Sequence, residues 1–520
     1  MASMSEIRET WRRRGVIIQP MDLDHDVCYR AIESRDARFD GRFFTAVKST
    51  GIYCRPVCPA RTPRRENVIF YPTAAAAQEA GFRPCLRCRP ETSPDLGAWR
   101  GTSNTVSRAL TMIEAGALDE GDVAALGERL GVGERQLRRL FRQHLGASPI
   151  AVAQTRRVLL AKQLIHQTRM PMTDVALASG FGSVRRFNES FHRLYQRSPI
   201  ALRRSRQAPI SPAGAVTLEL PCKAPFDWDA MLEFLAPRAI PGVETVAGDA
   251  YARAIAVGGS KGAFIARPTA QDRLLVSVRF PKLEALPAII ARVRRLFDLA
   301  ADPVAIGEHL SRDPVLAPLV AARPGLRVPG AWDGFEVGVR AILGQQISVT
   351  AAIRIAGGIA AEHGEALDEP VPGFPELTRI FPSAEALAAA DLSGLPMPRA
   401  RSAALSALAV AVAADPELLG PRASLQEAIA TLRCLPGIGE WTAQYIAMRE
   451  LREPDAFPAA DVGLMRAMAD EAGVRPSAAA LMSRAESWRP WRAYAAMHLW
   501  VAEAQSISSR KVRNADRTAA

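Results

Sequence analysis

The sequence predicts a multidomain protein that is mainly α-helical with α+β parts. Three observations carry that prediction: the length, punctuation that divides the chain into five parts, and a change of hydrophobic periodicity between those parts. At 520 residues the chain is too long for one core and is expected to hold three or four domains. Hydrophobic residues make up 48% and charged residues 23%. No apolar run approaches the ~18 residues that a membrane span requires. The opening MASMSEIRETWRRRG has a basic stretch with no apolar segment behind it, which is not a secretory signal. A soluble, cytoplasmic chain with no membrane partner is expected.

The five parts follow in order. A tail of about twenty residues precedes a Cys-, Arg- and Pro-rich module ending near Pro90, and ETSPDLGAWRGTS reads as a linker. Residues 105–206 have helical periodicity, and QAPISPAG reads as the next linker. From 216 to 325 the segments AVTLELP, ARAIAVGG, GAFIARP and LLVSVRF alternate or run apolar, as strands of a sheet with a few helices do. After RVPG the pattern becomes long Ala- and Leu-rich helices up to Gln505, and SRKVRNADRTAA reads as a disordered tail.

Charge is distributed unevenly. Residues 1–210 hold 34 Lys and Arg against 20 Asp and Glu, an excess of 14 positive charges, while the remainder holds 32 against 34. A basic block of this size is expected to meet a polyanion, with nucleic acid the leading one inside a cell and a solvated basic surface the alternative reading.

Seven cysteines, an odd number in a large chain with no export signal, argue against a disulfide framework. Cys54-x3-Cys58 and Cys85-x2-Cys88, separated by 26 residues, have the spacing of two thiolate pairs converging on one tetrahedral zinc. Arg55, Arg61, Arg64, Arg65, Arg83, Arg87 and Arg89 flank the cluster, so it is expected to face phosphate; Cys28 falls outside the pattern and reads as core. Carried on GIYCRPVCPARTPRRENVIFY and GFRPCLRCRPE, the module resembles the N-terminal domain of the Ada family, sensors of DNA methylation. That resemblance implies that Cys54, the first cysteine of the C-x3-C pair, takes a methyl group from a methylated DNA phosphate. Zinc with four thiolates carries a formal charge of −2, which keeps one thiolate electron-rich enough to attack a methyl carbon. Methylation reduces the site to −1 and lowers repulsion from DNA.

An internal repeat follows. A shift of 50 residues superposes GERQLRRLFRQHLGASPI (133–150) on SVRRFNESFHRLYQRSPI (183–200), so one unit is used twice. Each copy reads as helix, Gly-containing turn, helix. The pair resembles the AraC-type regulator domain, which implies that the second helix of each unit enters a major groove. It would present Arg135, Gln136, Arg138 and Arg139 from the first copy and Ser183, Arg185, Arg186 and Asn188 from the second.

The back half lacks the Pro-Cys-His-Arg nucleophile with which intact Ada proteins continue. Its nearest match is Pro221-Cys222-Lys223, so repair of O6-methylguanine is not expected. Carried on PFDWDAMLEFLAPRAIPGVETV, GFEVGVRAILGQQISVTAA and LPGIGEWTAQYIAMRE, it resembles AlkA-type 3-methyladenine glycosylases of the helix-hairpin-helix superfamily. Leu435-Pro436-Gly437-Ile438-Gly439 matches the hairpin, where glycines admit close approach of DNA and helix-start N–H groups hold a phosphate, with a monovalent cation as a further expected ligand. The resemblance implies Asp461, 24 residues beyond Gly437, as the catalytic carboxylate. An N-cap role in AADVGLM is compatible with catalysis. It implies a base pocket of Phe234, Trp441, Tyr445 and Trp500, aromatic faces suited to cationic N3- and N7-methylated purines. Trp441 stands where lyase-type members carry a nucleophilic Lys, so water is the expected nucleophile. The wedge that fills the gap left by a flipped base falls at Gln346, beside Ile347, and Gly463 replaces a bulky pocket residue.

The resulting assignment is an Ada-type zinc-thiolate methyl-acceptor domain at 21–92, an AraC-type double helix-turn-helix domain at 105–206, an AlkA-type N-terminal α+β domain at 216–325 and an all-α helix-hairpin-helix glycosylase domain at 326–505. The implied activities are those of a monofunctional N-glycosylase and a methylphosphotriester-DNA cysteine S-methyltransferase. Double-stranded DNA and RNA polymerase are the implied partners, and a monomer is expected. Lying in separate domains, the two chemistries are expected to be separable by mutation. Two rival readings remain: a transcription activator whose inactive glycosylase half serves as a DNA clamp, and a constitutive glycosylase that its front half only tethers.

Overall fold

The computed structural model describes residues 25–94, 104–203 apart from 115 and 120, 214–270, 273–420, 422 and 424–519. The N-terminal tail and most of both expected linkers lie outside the described residues.

The cysteine-rich module opens with helix α1 (His25–Glu33) and builds a four-stranded sheet from β1 (Phe44–Val47), β2 (Ile52–Cys54), β3 (Val68–Tyr71) and β4 (Arg83–Pro84), in the order β3-β1-β2-β4. FTAV and VIFY are rich in the β-branched and aromatic residues that suit a pleated surface. The parallel pairing of β2 with β4 sets Tyr53 beside Pro84, which brings Cys54 to Cys85. Helix α2 (Ala74–Glu79), capped by Thr73, buries four alanines on this sheet. Cys28 is fully buried among Ala31, Ile32, Phe43 and Val68, as core. The first expected linker begins later than its composition suggests. Pro90–Thr92 form a 3-10 turn in which Glu91 is buried.

After α3 (Asn104–Glu114) the repeat is visible as structure. Helices α4 (Val123–Arg129) and α5 (Glu134–Leu145) are repeated by α7 (Met172–Ala178) and α8 (Val184–Tyr195), with α6 (Pro149–Gln167) between the copies and α9 (Pro199–Leu202) after the second. Helices α5 and α8 are each 12 residues long, end in a left-handed cap at Gly146 and Gln196, and are followed by Ser-Pro at the start of the next helix. The caps satisfy terminal carbonyls, and proline pre-sets the first turn of the next helix.

The four expected strands form, joined by a fifth: β5 (Val216–Pro221), β6 (Glu244–Ala247), β7 (Ala250–Val257), β8 (Ser260–Pro268) and β9 (Arg273–Arg279) make an antiparallel sheet of order β5-β9-β8-β7-β6. Helices α10 (Trp228–Leu235), α11 (Leu286–Leu296), α12 (Pro303–Leu310) and α13 (Leu316–Ala322) accompany it. The remaining elements are helical: α14 (Gly334–Leu343), α15 (Val349–His363), α16 (Ala384–Ala388), α17 (Arg399–Ala414), α18 (Leu425–Arg433), α19 (Glu440–Arg449), α20 (Val462–Ala467), α21 (Ala478–Ala485) and α22 (Arg492–Ala519). Helix α22 corrects the expected disordered tail: with no Pro or Gly after Pro490 to stop it, the helix continues to Ala519. Among the described residues no helix is long and apolar enough to cross a membrane.

The two halves are not separate bodies. One hydrophobic core runs from Leu164, Phe187 and Phe191 of the repeat through Leu218 and Phe297 to Ile446 and Trp488. Helix α6 covers the edge strand β5, where Gln163 donates to the Glu219 carbonyl (2.8 Å) and Gln167 accepts from the Glu219 amide (2.9 Å). Buried Arg108 of α3 pairs with buried Glu453.

Candidate metal centre, nucleic-acid interface and active site

The four cysteines Cys54, Cys58, Cys85 and Cys88 bring their Sγ atoms within 4.8 Å of one another. A tetrahedral zinc with bonds near 2.3 Å needs sulfurs about 3.8 Å apart, so small adjustments close the site. The donor set fits the ion chemically as well. The amides of Arg55 and Arg87 donate to Cys88 Sγ (3.4 Å) and Cys85 Sγ (3.3 Å), bonds that favour thiolates. Four thiols this close also compete for protons. Their hydrogen bonds push Cys54 far up, while the bond from Cys54 draws Cys58 down to about 7. Cys85 and Cys88 are each 7% exposed, whereas Cys54 and Cys58 are half-buried, so an incoming methyl group meets the C-x3-C pair.

Not every flanking arginine faces outward. Arg61, Arg64 and Arg87 are exposed, but Arg55 turns inward to the Asp40 carboxylate (Nε–Oδ1 2.9 Å) and Thr92 Oγ1 (2.6 Å). Arg89 turns to buried Glu91 (3.3 Å), whereas Arg65 stays exposed while it pairs with Asp26. Burial of Asp40 and Glu91 explains the difference, since each buried carboxylate takes the nearest guanidinium.

Helices α5 and α8 display their basic faces to solvent. Arg135, Arg138, Arg139, Arg185, Arg186 and Asn188 are exposed, and Gln136 and Ser183 are half-buried. Ser183 caps α8 through the Arg186 amide (3.2 Å), which removes it from the groove-facing set. Arg138 pairs with Glu134 (2.5 Å) and Arg185 with Glu189 (2.8 Å), exposed pairs that are weak enough to exchange for phosphate or base.

In the back half, Leu435–Gly439 forms the turn between α18 and α19. Gly437 has φ +77°, and a Cβ there would lie 2.4 Å from Ala404 Cβ, so this position admits only glycine. At Gly439 a Cβ would meet nothing within 4 Å, and α19 begins there with no side-chain cap, leaving helix-start N–H groups facing open space. Leu435 is half-buried against the core. Gln345 ties the preceding loop to this turn, donating to Gly437 O (2.9 Å) and Thr442 Oγ1 (3.0 Å). Beside it Gln346 is exposed in the left-handed region, φ +57°, whereas Ile347 packs on the core.

Asp461 is the N-cap of α20, accepting from the Leu464 amide (3.0 Å). Trp441 Nε1 donates to its Oδ2 (2.9 Å) and Trp500 Nε1 to its Oδ1 (2.9 Å). Both oxygens are therefore fixed by indoles from α19 and α22. Gly463 has a steric reason: a Cβ there would sit 3.0 Å from Asp461 Oδ1 and 3.4 Å from the Trp500 ring. Trp441 stacks on Tyr445 (centroids 5.3 Å apart, 11° between planes), and Tyr445 meets Trp500 edge-on. Phe234 is buried, with Arg238 at 3.9 Å and Arg449 at 4.8 Å over its ring. Arg449 also donates to Tyr445 Oη (2.5 Å). Burial opposes ionisation of that phenol, but Arg449, Arg238 and Arg340 together draw it below the usual range. The sequence pattern did not disclose these guanidiniums, because nothing in a sequence marks which arginine turns inward.

Fold and site thus define a protein that joins a four-cysteine metal-binding module and a duplicated helix-turn-helix to a helical half built around a glycine hairpin and an indole-held carboxylate. Family models match in the same order: the metal binding domain of Ada over residues 27–91, a helix-turn-helix domain over 126–205 and the AlkA N-terminal domain over 217–333. The chain is 43% identical over 484 residues to the probable bifunctional transcriptional activator/DNA repair enzyme AlkA of Mycobacterium tuberculosis, covering 92% of this chain and 97% of that protein. It belongs to that family. DNA-3-methyladenine glycosylase 2 of Escherichia coli is 41% identical over 283 residues, 54% of this chain and 95% of that protein. The bifunctional transcriptional activator/DNA repair enzyme Ada of the same organism is 35% identical over 161 residues, 31% of this chain and 43% of its own length. The chain is accordingly a glycosylase carrying Ada-like regulatory domains, and DNA is its partner.

Proposed function

We propose that the back half is a monofunctional DNA-3-methyladenine glycosylase and that the front half is a methylphosphotriester-DNA S-methyltransferase whose methylation strengthens sequence-specific DNA binding. The observation that carries the first part is the Asp461 carboxylate, held by two indole N–H groups and a helix start. A residue that were only a cap would need the Leu464 amide alone. An alkylated purine leaves with the electron pair of its N-glycosidic bond, and the cation developing at the sugar is stabilised by the fixed charge of Asp461. Water then adds to that sugar carbon and releases a proton. Gln346 fills the gap left by the extruded nucleotide, and the N–H groups after Gly439 grip the phosphate, where the hairpin would also hold a monovalent cation that adds positive charge. Trp441, Tyr445 and Trp500 line the base pocket; Phe234 supports it from behind Arg238 and Arg449.

In the front half, Cys54, Cys58, Cys85 and Cys88 would hold zinc, which would keep their sulfurs anionic. Cys54 attacks the methyl carbon, the methyl C–O bond breaks, and the phosphodiester leaves as its anion. Two groove-binding helices within one chain supply what single-unit regulators obtain by dimerising, which supports action as a monomer. The reading extends to a cytoplasmic activator that engages RNA polymerase at its promoter.

The test is single-turnover base release from methylated DNA by Asp461→Asn. The amide must present an NH2 to one of two indole donors and carries no charge, so a loss on the order of 10²–10³-fold is expected with DNA binding retained. Excision near the wild-type rate would remove Asp461 from the mechanism. In parallel, Cys54→Ser should abolish the gain of about 14 Da that methylphosphotriester DNA causes on the Cys54 peptide; methyl uptake persisting on Cys58 would assign that residue instead.

A further inference from the structure

Two buried lysines serve neither chemistry. Lys162 of α6, 0% exposed, donates to the carbonyl of Cys85 (3.0 Å) and to the Glu91 carboxylate (2.7 Å). Lys223, 4% exposed and just beyond β5, donates to the carbonyls of Arg38 and Asp40 (3.3 Å for the latter). Both therefore reach into the zinc module from outside it and bond to its main chain. Lys223 occupies the third position of the Pro-Cys-Lys sequence, where a nucleophile motif has no counterpart.

On the zinc side, the acceptors of Lys223 are held by the cysteine loops. The carboxylate of Asp40 pairs with Arg55, and Arg55 follows Cys54, donates its amide to Cys88 Sγ (3.4 Å) and donates its guanidinium to the Cys88 carbonyl (3.3 Å). Arg42 of the same segment crosses to Asp302 (2.8 Å). On the glycosylase side, the Lys223 carbonyl accepts from buried Arg327, which also donates to Asp298 O (2.7 Å). The Asp298 carboxylate accepts from Tyr494 Oη (2.7 Å) on α22, the helix that carries Trp500. Polar contacts thus run without a break from a zinc ligand to the helix that positions Asp461.

We propose that zinc occupancy of the four-cysteine centre is thermodynamically coupled to the folding of the glycosylase half, with Lys223 as the positioning residue that carries the coupling. The physical reason is that the Lys223 ammonium, buried at the seam, takes the acceptors that make its burial tolerable from the zinc module. When the metal leaves, the cysteine loops lose their anchor, Arg55 and Asp40 are released, and the carbonyls that solvate Lys223 go with them. Lys223 Nζ then loses both acceptors and the cover of the zinc module at once, and the end of β5 that it anchors is freed to unfold locally. The inference rests on zinc being bound, which a metal assay on the purified chain decides independently.

The experiment is thermal unfolding of the full chain, zinc-loaded and chelated, followed by tryptophan fluorescence. Six of the eight tryptophans lie beyond residue 216, so the signal reports the glycosylase half. Chelation should lower the midpoint by on the order of 5 °C. Lys223→Met removes the buried charge while keeping the length of the side chain, and should reduce that shift to less than half. A tryptophan midpoint unmoved by chelation overturns the coupling; a full shift retained in Lys223→Met overturns Lys223 as its carrier. Hydrogen exchange on the wild-type chain gives a second readout that needs no variant. Zinc removal should speed exchange of amides at 216–223 and 298–302, and unchanged protection there also overturns the proposal.

Discussion

At the residue scale, the arrangement around Asp461 separates charge from position. Its carboxylate would stabilise a sugar cation from any nearby site, but two indoles and a backbone amide hold it in one orientation. Trp500→Phe keeps the ring and removes one donor. A hydrogen bond to a charged acceptor is worth about 1.5–3 kcal/mol. Part of that loss is absorbed by reorientation, so the single-turnover rate should fall about tenfold with little change in affinity for methylated DNA. Rates equal to wild type would mean that Trp500 contributes only stacking. Sequence resemblance placed Asp461, Trp441 and Trp500 in one site, and the pairing of indole N–H with carboxylate gives that grouping its physical basis. It did not foresee that the cations over Phe234 are the protein's own Arg238 and Arg449.

At the scale of elements, the repeat was the most legible feature. A 50-residue shift in the sequence became two 12-residue helices with matching left-handed caps, because cap, turn and apolar spacing are local and need no knowledge of the rest of the chain. Their DNA-facing role is testable on α8. The Arg185 side chain is 87% exposed, and its partner Glu189 is exposed too, so Arg185→Ala should leave the melting temperature unchanged. Binding to the selected promoter duplex should weaken by about 1–3 kcal/mol, measured by fluorescence anisotropy against a scrambled duplex. An equal loss on both duplexes would make Arg185 a phosphate contact. The end of α22 was misread for the same local reason: SRKVRNADRTAA is polar enough to resemble a tail, yet it holds no helix breaker.

At the scale of the whole molecule, burial between elements far apart in the sequence makes stability depend on pH. His498 on α22 is 6% exposed, and burial depresses its imidazole to about 4, with Asp227 opposing only in part. The unfolded chain binds this proton near pH 6.5 and the folded chain does not until about pH 4, so stability falls as pH is lowered through that window. The difference amounts to about 3 kcal/mol at most. His498→Gln should flatten the midpoint-against-pH curve between pH 6.5 and 4; an unaltered slope would assign the acid sensitivity to other groups.

The sequence by itself determined the order of modules, the four ligating cysteines, the duplicated helices and the hairpin glycines. Each of these is written in spacing within a few tens of residues, which local sterics and capping convert directly into structure. The tertiary structure alone decided which arginines face outward, how the carboxylate of Asp461 is held, and that Lys162 and Lys223 pin the zinc module to the rest of the chain. These contacts join residues as far apart as Lys223 and Arg38, or Arg108 and Glu453. No periodicity records them, because a buried charge takes whichever partner packing brings within reach.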